Sequence, residues 1–234
     1  MASDNSTPSH IAIIPDGNRR WAKKHGLDVL RGHEKGIELM GEVLKWCREE
    51  KIKMVSFWAF STENFKRDNE EVKGLFDAFD SRLSKVLKEA EFEKHGVRVR
   101  FIGNISRFPL KIREGIKKVE SETSKFDKYF VNFFIAYGGR AELISAAKKL
   151  AKDFSSSPDK IDEKEFESRL WSSGIPDPDL IIRTSGEIRI SGFLPFKSVY
   201  SEFYFCEKLW PDFSREDLLE ALQEFSKRKR RWGK

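Results

Sequence analysis

Short apolar runs alternate with longer stretches of helical spacing along this chain. Ile11–Ile14 reads as a buried strand. Ile37, Met40, Val43, Leu44 and Cys47 then recur on one helical face. Met54–Phe60 reads as a second buried strand. Val72, Leu75, Phe76, Phe79, Leu83, Val86 and Leu87 mark a long amphipathic helix, with Asp68 or Asn69 as its cap. Val97, Val99 and Phe101 alternate, as in a strand with one polar face. A helix over Leu110–Thr123, a strand over Tyr129–Ala136 and a helix over Ala141–Asp153 follow. Ser155–Pro158 reads as a surface loop and Asp162–Trp171 as a short helix. Leu180–Ile182 and Phe203–Phe205 are the last strands, and a helix capped by Ser214 is expected to run to Arg231.

Strands alternating with helices predict an α/β fold, a central, mostly parallel sheet flanked by helices. In such sheets ligands gather at the carboxyl ends of the strands. The loops after Ile14, Phe60, Ala136, Ile182 and Phe205 are therefore the places to look for chemistry.

Composition narrows the class. The 234 residues include 20 Phe and 6 Trp, enough for a sizeable core and too many for a disordered chain. Residues 10–234 are expected to form a single catalytic domain with a basic tail, after a flexible segment over residues 1–9. Six of the 44 basic residues lie in the last eight positions, which leaves 38 basic against 38 acidic residues elsewhere. The body is neutral, so the net charge of +6 does not argue for a nucleic-acid partner. The tail itself leaves binding to RNA or an anionic membrane as a separate hypothesis. No apolar run is long enough to span a membrane, and no signal peptide is expected. Cys47 and Cys206 are far apart and lack CxxC spacing. A cytoplasmic chain with reduced thiols is expected.

The strand-end loops carry a common chemistry. The first holds Pro15-Asp16-Gly17-Asn18-Arg19-Arg20-Trp21. Asp16 suits a divalent cation, which is usually held by one or two carboxylates plus ligand phosphates. A turn with solvated arginines fits the same residues equally well. The second loop holds Ser61-Thr62-Glu63-Asn64-Phe65-Lys66-Arg67, a polar-ligand set that also reads as a helix cap. Tyr137-Gly138-Gly139-Arg140 follows the third. Arg183, Arg189 and Ser191 make a plausible diphosphate clamp, because guanidinium forks match phosphate oxygens. Glu202 is a second candidate metal carboxylate, and His33 stands among basic residues. No HExxH, P-loop, GxSxG or GxGxxG occurs, and no Asp-Asp pair. These residues point to diphosphate substrates with a divalent cation and a hydrophobic portion. A nucleotide satisfies the same facts.

The same residues, taken in order, resemble the cis-prenyltransferase family over nearly the whole chain, from His10 to Gly233. The matching blocks include Asp16-Gly17-Asn18 with Arg20-Trp21-Ala22, Gly32-His33, and Phe60-Ser61-Thr62-Glu63-Asn64-Phe65 with Arg67. Tyr137–Arg140, Pro176–Leu180, Ile182–Glu187, Arg189-Ile190-Ser191, Tyr200-Ser201-Glu202, Trp210–Phe213 and Arg231-Trp232-Gly233 complete them. Arg19, Thr62 and Phe65 look most like the archaeal branch.

The resemblance implies a homodimer with an apolar tunnel. It implies Mg²⁺-dependent joining of isopentenyl diphosphate to an allylic prenyl diphosphate, with geranylgeranyl diphosphate as one candidate acceptor. Asp16 would handle Mg²⁺, and Glu202 would complete the metal site. Gly17, Asn18, Arg19, Arg20 and His33 would bind the allylic diphosphate, with Trp21, Thr62, Glu63, Phe65 and Arg67 in the binding surface. Arg183, Arg189, Ile190 and Ser191 would bind isopentenyl diphosphate. Ser61 and Asn64 would stand near the proton that is removed, and Arg231 would reach the partner's site. Weak peripheral membrane contact is expected, because the product is lipidic.

Pro15, Gly192 and Pro195-Phe196-Lys197 depart from the family pattern, in a way that also looks like the lavandulyl-type relatives. Regular elongation is the leading reading, and nonhead-to-tail condensation of allylic diphosphates is the alternative. A noncatalytic partner subunit is disfavoured, because Asp16, Asn18, Arg20 and Arg183 are all present.

Overall fold

The computed structural model describes residues 7–86 and 90–228. Its strands are β1 (His10–Ile14), β2 (Met54–Ser61), β3 (Val97–Ile102), β4 (Tyr129–Tyr137), β5 (Leu180–Arg183) and β6 (Glu202–Phe205). Its helices are α1 (Asn18–Lys24), α2 (Val29–Glu49), α3 (Asn69–Val86), α4 (Ala90–His95), α5 (Leu110–Thr123), α6 (Gly139–Asp153), α7 (Glu163–Ser168) and α8 (Arg215–Lys227). The strands form one six-stranded sheet in the order β3-β4-β2-β1-β5-β6, and every pairing is parallel.

Burial on both faces explains the unbroken apolar run of β1. Ile11 and Ile13 pack with Val43 and Cys47 of α2 and with Leu218, Ala221 and Phe225 of α8. Ala12 and Ile14 point the other way, among Phe134, Tyr137 and Phe193. A third cluster sets Phe60, Val99 and Ile135 of the sheet against Leu75 and Leu83 of α3 and Ile112 and Ile116 of α5.

The chain leaves β1 through α1 and α2 to reach β2 on one side, and β5 pairs on the other. β1 is thus where the strand order reverses, and the crevice lies beyond the carboxyl ends of β1, β2 and β5.

The expected elements are present with small shifts. β4 extends by one residue to Tyr137, where it pairs with Ser61. Residue 162 caps α7, which stops at Ser168 rather than Trp171. Among the described residues the terminal helix runs to Lys227, where Arg228 turns to extended backbone (φ −83°, ψ 133°) and its guanidinium donates to Glu202 Oε2 at 2.7 Å; the rest of the expected span, residues 229–231, lies outside the described residues. Of the segment expected to be flexible, residues 1–6 lie outside the described residues. Ser9 is tied down, its N–H donating to Asp179 Oδ2 at 2.8 Å.

Candidate active site

Asp16 stands just past the end of β1, and its neighbours fix both its backbone and its carboxylate. The Thr184 hydroxyl, fully buried, accepts from the Asp16 N–H at 2.9 Å and donates to the Asp16 carbonyl at 2.7 Å. Arg183 ends β5 and is only 4 % exposed. Its guanidinium donates to Asp16 Oδ2 at 2.7 Å, to Ser191 Oγ at 2.8 Å and to the Arg189 carbonyl. One buried cation therefore links the Asp16 carboxylate to the 184–192 loop. Arg20, one helical turn past Asp16, donates to Ser185 Oγ and stands 3.5 Å from both Asp16 Oδ1 and Glu187 Oε1. Glu187 also pairs with Arg189. The loop holds Ser185 and Ser191 at φ 82° and 50°, left-handed backbone that costs on the order of 1–3 kcal/mol at a residue with a side chain. Such strain persists only where surrounding bonds over-determine it, as they do here.

A second cluster faces the same pocket from α2 and α3. Glu71 Oε1 accepts from Arg67 at 3.0 Å, lies 3.1 Å from His33 Nε2 and 3.7 Å from Arg19 Nε. Burial lowers the His33 pKa, Arg67 and Arg19 push it the same way, and the bond to Glu71 opposes them. The ring is therefore neutral at pH 7. Arg67 is lowered by burial but remains a cation. Asp16, Gly17, Asn18, Arg19, Arg20, His33 and Arg67 all line one open polar pocket.

That pocket shares Pro15, Asn18 and His33 with an apolar cavity of about 100 Å³. The cavity runs between α2 and α3 towards β3 and β4, lined by Ile37, Leu75, Phe79, Leu83, Val99 and Phe133, among others. Trp58 and Phe134, equally bulky, are instead packed against Phe193 in the core. A molecule with an anionic head and a hydrocarbon body fits this pair of spaces.

The β2 turn completes the rim. The Ser61 N–H donates to Asn64 Oδ1 at 2.9 Å, and Thr62 Oγ1 donates to Glu63 Oε2 at 2.9 Å. Burial pushes the Glu63 carboxyl up, but bonds from its own backbone, Thr62 and Ser61, and nearby Lys66, outweigh it and leave the pKa lowered. Phe65 packs against Phe60 and carries the Arg107 guanidinium 3.8 Å above its ring. Trp21 Nε1 donates to Asp212 at 2.7 Å, and the Ile190 carbonyl accepts from the Phe193 N–H at 2.8 Å.

Two expected members are not brought in. Glu202 begins β6 opposite Leu180, whereas Asp16 lies past Ile14, which pairs with Arg183. Within one chain the two carboxylates thus stand at opposite ends of the sheet. Arg231 lies outside the described residues. Conversely, Thr184 and Glu71 sit among the site residues without having been singled out. Thr184 lies inside the quoted Arg183-Thr184-Ser185 run, so its place directly after a strand was the available signal. Glu71, four residues beyond Arg67, reads in sequence only as a first-turn helix acid.

The departures from the family pattern have local roles. Gly192 takes φ +89°, and its carbonyl accepts from the Gly139 N–H at 2.9 Å. A side chain at Gly139 would overlap both that carbonyl and the Pro195 ring. Phe196 stacks on Phe166 at 5.3 Å, and buried Lys197 pairs with Glu167 and Asp177. Gly192, Pro195, Phe196 and Lys197 thus anchor the 184–197 loop to α6 and α7.

Among the described residues no cluster of three or more His, Cys, Asp or Glu is placed to hold a metal. A family model described as "Putative undecaprenyl diphosphate synthase" matches residues 14–233. Tritrans,polycis-undecaprenyl-diphosphate synthase (geranylgeranyl-diphosphate specific) of Thermoplasma volcanium is 46 % identical over 97 % of this chain and 89 % of its own. The crystal structure of lavandulyl diphosphate synthase from Lavandula x intermedia, in complex with dimethylallyl diphosphate, superposes with a TM-score of 0.93. It is 35 % identical, over 98 % of this chain and 99 % of that one. A probable undecaprenyl diphosphate synthase from Campylobacter jejuni superposes at 0.79 with 34 % identity, over 97 % and 99 % of the two chains. With the fold, the strand-end cations and the apolar cavity all in agreement, this chain belongs to the undecaprenyl diphosphate synthase family of cis-prenyltransferases.

Proposed function

We propose that this chain elongates an allylic prenyl diphosphate with isopentenyl diphosphate, giving a Z-polyprenyl diphosphate. Geranylgeranyl diphosphate is the favoured acceptor, by analogy with the archaeal relatives. One observation carries the reading: the Asp16 pocket opens through Pro15, Asn18 and His33 into the apolar cavity. An anionic head bound among Asn18, Arg19, Arg20 and His33 directs its hydrocarbon into that cavity. Arg183, Arg189 and Ser191 hold the second diphosphate.

Magnesium fits the donor set, because Asp16 is 31 % exposed and, among the described residues, the one carboxylate lining the polar pocket, beside cations suited to phosphate. When bound, the ion supplies Lewis-acid stabilisation of the departing diphosphate. Arg20, Arg19 and the neutral His33 orient that diphosphate and offset its charge in a partly dry site. The cavity walls exclude water from the carbocation. Ser61 and Asn64 flank the carbon that loses its proton. Glu202 joins the metal only from a second copy of the chain. A homodimer is supported by the exposed Ile188, Val199 and Tyr200 on the 184–201 loop and by β6 as an edge strand. Among the described residues no helix is long and apolar enough to cross a membrane; weak peripheral contact is proposed on the lipidic nature of the product.

The test is product analysis by mass spectrometry with Mg²⁺. Isopentenyl with geranylgeranyl diphosphate should give a ladder growing by C5 units. Dimethylallyl diphosphate alone should give nothing. Product in the second tube, with no ladder in the first, would replace elongation with nonhead-to-tail condensation.

A further inference from the structure

The two ends of the apolar cavity differ from its middle. Among the described residues that line it, only Asn18, His33 and Arg82 carry polar side chains. Asn18 and His33 stand at the diphosphate end, where the cavity meets the polar pocket. Arg82 stands at the other end. There Gly41, Leu44, Arg82 and Phe92 line both the cavity and an outer groove that is bordered by Lys45, Arg48 and Lys94. Gly41 lies eight residues along α2 from His33, about 12 Å further down the helix axis. A Cβ built on Gly41 would meet Arg82 Nη2 at 3.8 Å, so the guanidinium of α3 reaches across to α2.

We infer that Arg82 is the stop at the far end of the cavity and limits the length of the product chain. This rests on the elongation reading above. Each condensation advances the hydrocarbon tail by one C5 unit along apolar walls, which favours further burial. At Arg82 that gain ends. The tail must either strip water and partners from a guanidinium or displace it from the α2–α3 gap, and stripping a charge is costly. The guanidinium has a partner within the protein, and what halts the chain is its position rather than a vacant donor. Beyond it the groove is open and wider, with space for further units once the stop is removed.

Arg82→Met tests this, because it keeps the length and helix preference of the side chain and removes its charge. Wild type and variant are given isopentenyl and geranylgeranyl diphosphates, and the product lengths are read by mass spectrometry. The most abundant product of the variant should be longer by one or more C5 units, while Arg82→Lys should keep the wild-type length. Should the methionine variant unfold, as read by its melting curve, Arg82→Leu opens the same exit and is read in the same way. Folded variants with a wild-type or shorter ladder would overturn the assignment of Arg82. No ladder from the wild type would instead overturn the elongation reading itself.

Discussion

Thr184 shows how much of the site depends on a single hydroxyl. It holds the Asp16 backbone from both sides, donating to its carbonyl and accepting from its N–H. Thr184→Val keeps the shape and loses both bonds. It should cost about 1–3 kcal/mol in denaturant unfolding. It should also lower kcat about 10- to 100-fold, since small misplacements of a reacting group carry penalties of that order. A stability loss with unchanged kcat would confine Thr184 to the fold. Asp16→Ala should lower turnover by at least about 100-fold with the fold retained, as judged by circular dichroism. Near-normal turnover would remove Asp16 from the chemistry. Asp16 and Arg183 were legible in the sequence because they directly follow or end apolar strands. Glu71 was not, because its partners Arg19 and His33 come from α1 and α2 and meet it only after those helices dock. That Glu202 stands away from Asp16 of its own chain was not legible, because register is a property of strand pairing that no local pattern encodes.

At the scale of elements, the approach of α1 to α2 positions the end of the site proposed for the allylic diphosphate. Gly36 faces α1, and a Cβ there would overlap the Asn18 amide and come within 3.0 Å of Trp210. Alanine ordinarily favours a helix over glycine by about 1 kcal/mol. At position 36 the clash should reverse that sign, with a net loss of about 1–3 kcal/mol and a raised KM for the allylic substrate. Gly41 on the same helix meets nothing closer than 3.8 Å, so Gly41→Ala should stabilise. Melting curves of the two variants, with allylic KM for the first, separate packing from propensity. The helix and strand spans were largely readable, since two-sided burial of β1 and one-sided burial of α2 leave different periods. The end of α8 was not, because a run of Lys and Arg continues a helical pattern while a long-range bond from Arg228 to Glu202 draws the chain away.

The molecule as a whole should lose stability in mild acid, most of it through one buried group. Burial lowers the His10 pKa from 6.5 to about 4, against the opposing bond to the Pro176 carbonyl and the charge of Asp179. The partners fix the tautomer: Nδ1–H donates to Pro176 O at 2.9 Å, and Nε2 accepts from Ser56 Oγ at 2.8 Å. The folded state therefore prefers the neutral ring. Its contribution is complete above pH 6.5 and is lost as pH falls towards 4, about 3 kcal/mol in all. Denaturant unfolding at pH 7 and 4.5 should show most of that loss in wild type and a smaller one in His10→Asn. Equal losses would place the acid sensitivity elsewhere.

Among the described residues, the polar pocket and the apolar cavity have only Pro15, Asn18 and His33 in common. The polar pocket is built mostly from the end of β1 and from α1, whereas the apolar cavity is walled mostly by α2, α3 and the β3–β4 side of the sheet. Selection can therefore act on these two halves almost independently. A lineage can drift in the walls of the cavity, and so in the lipid it makes, while its reaction centre stays under unaltered constraint.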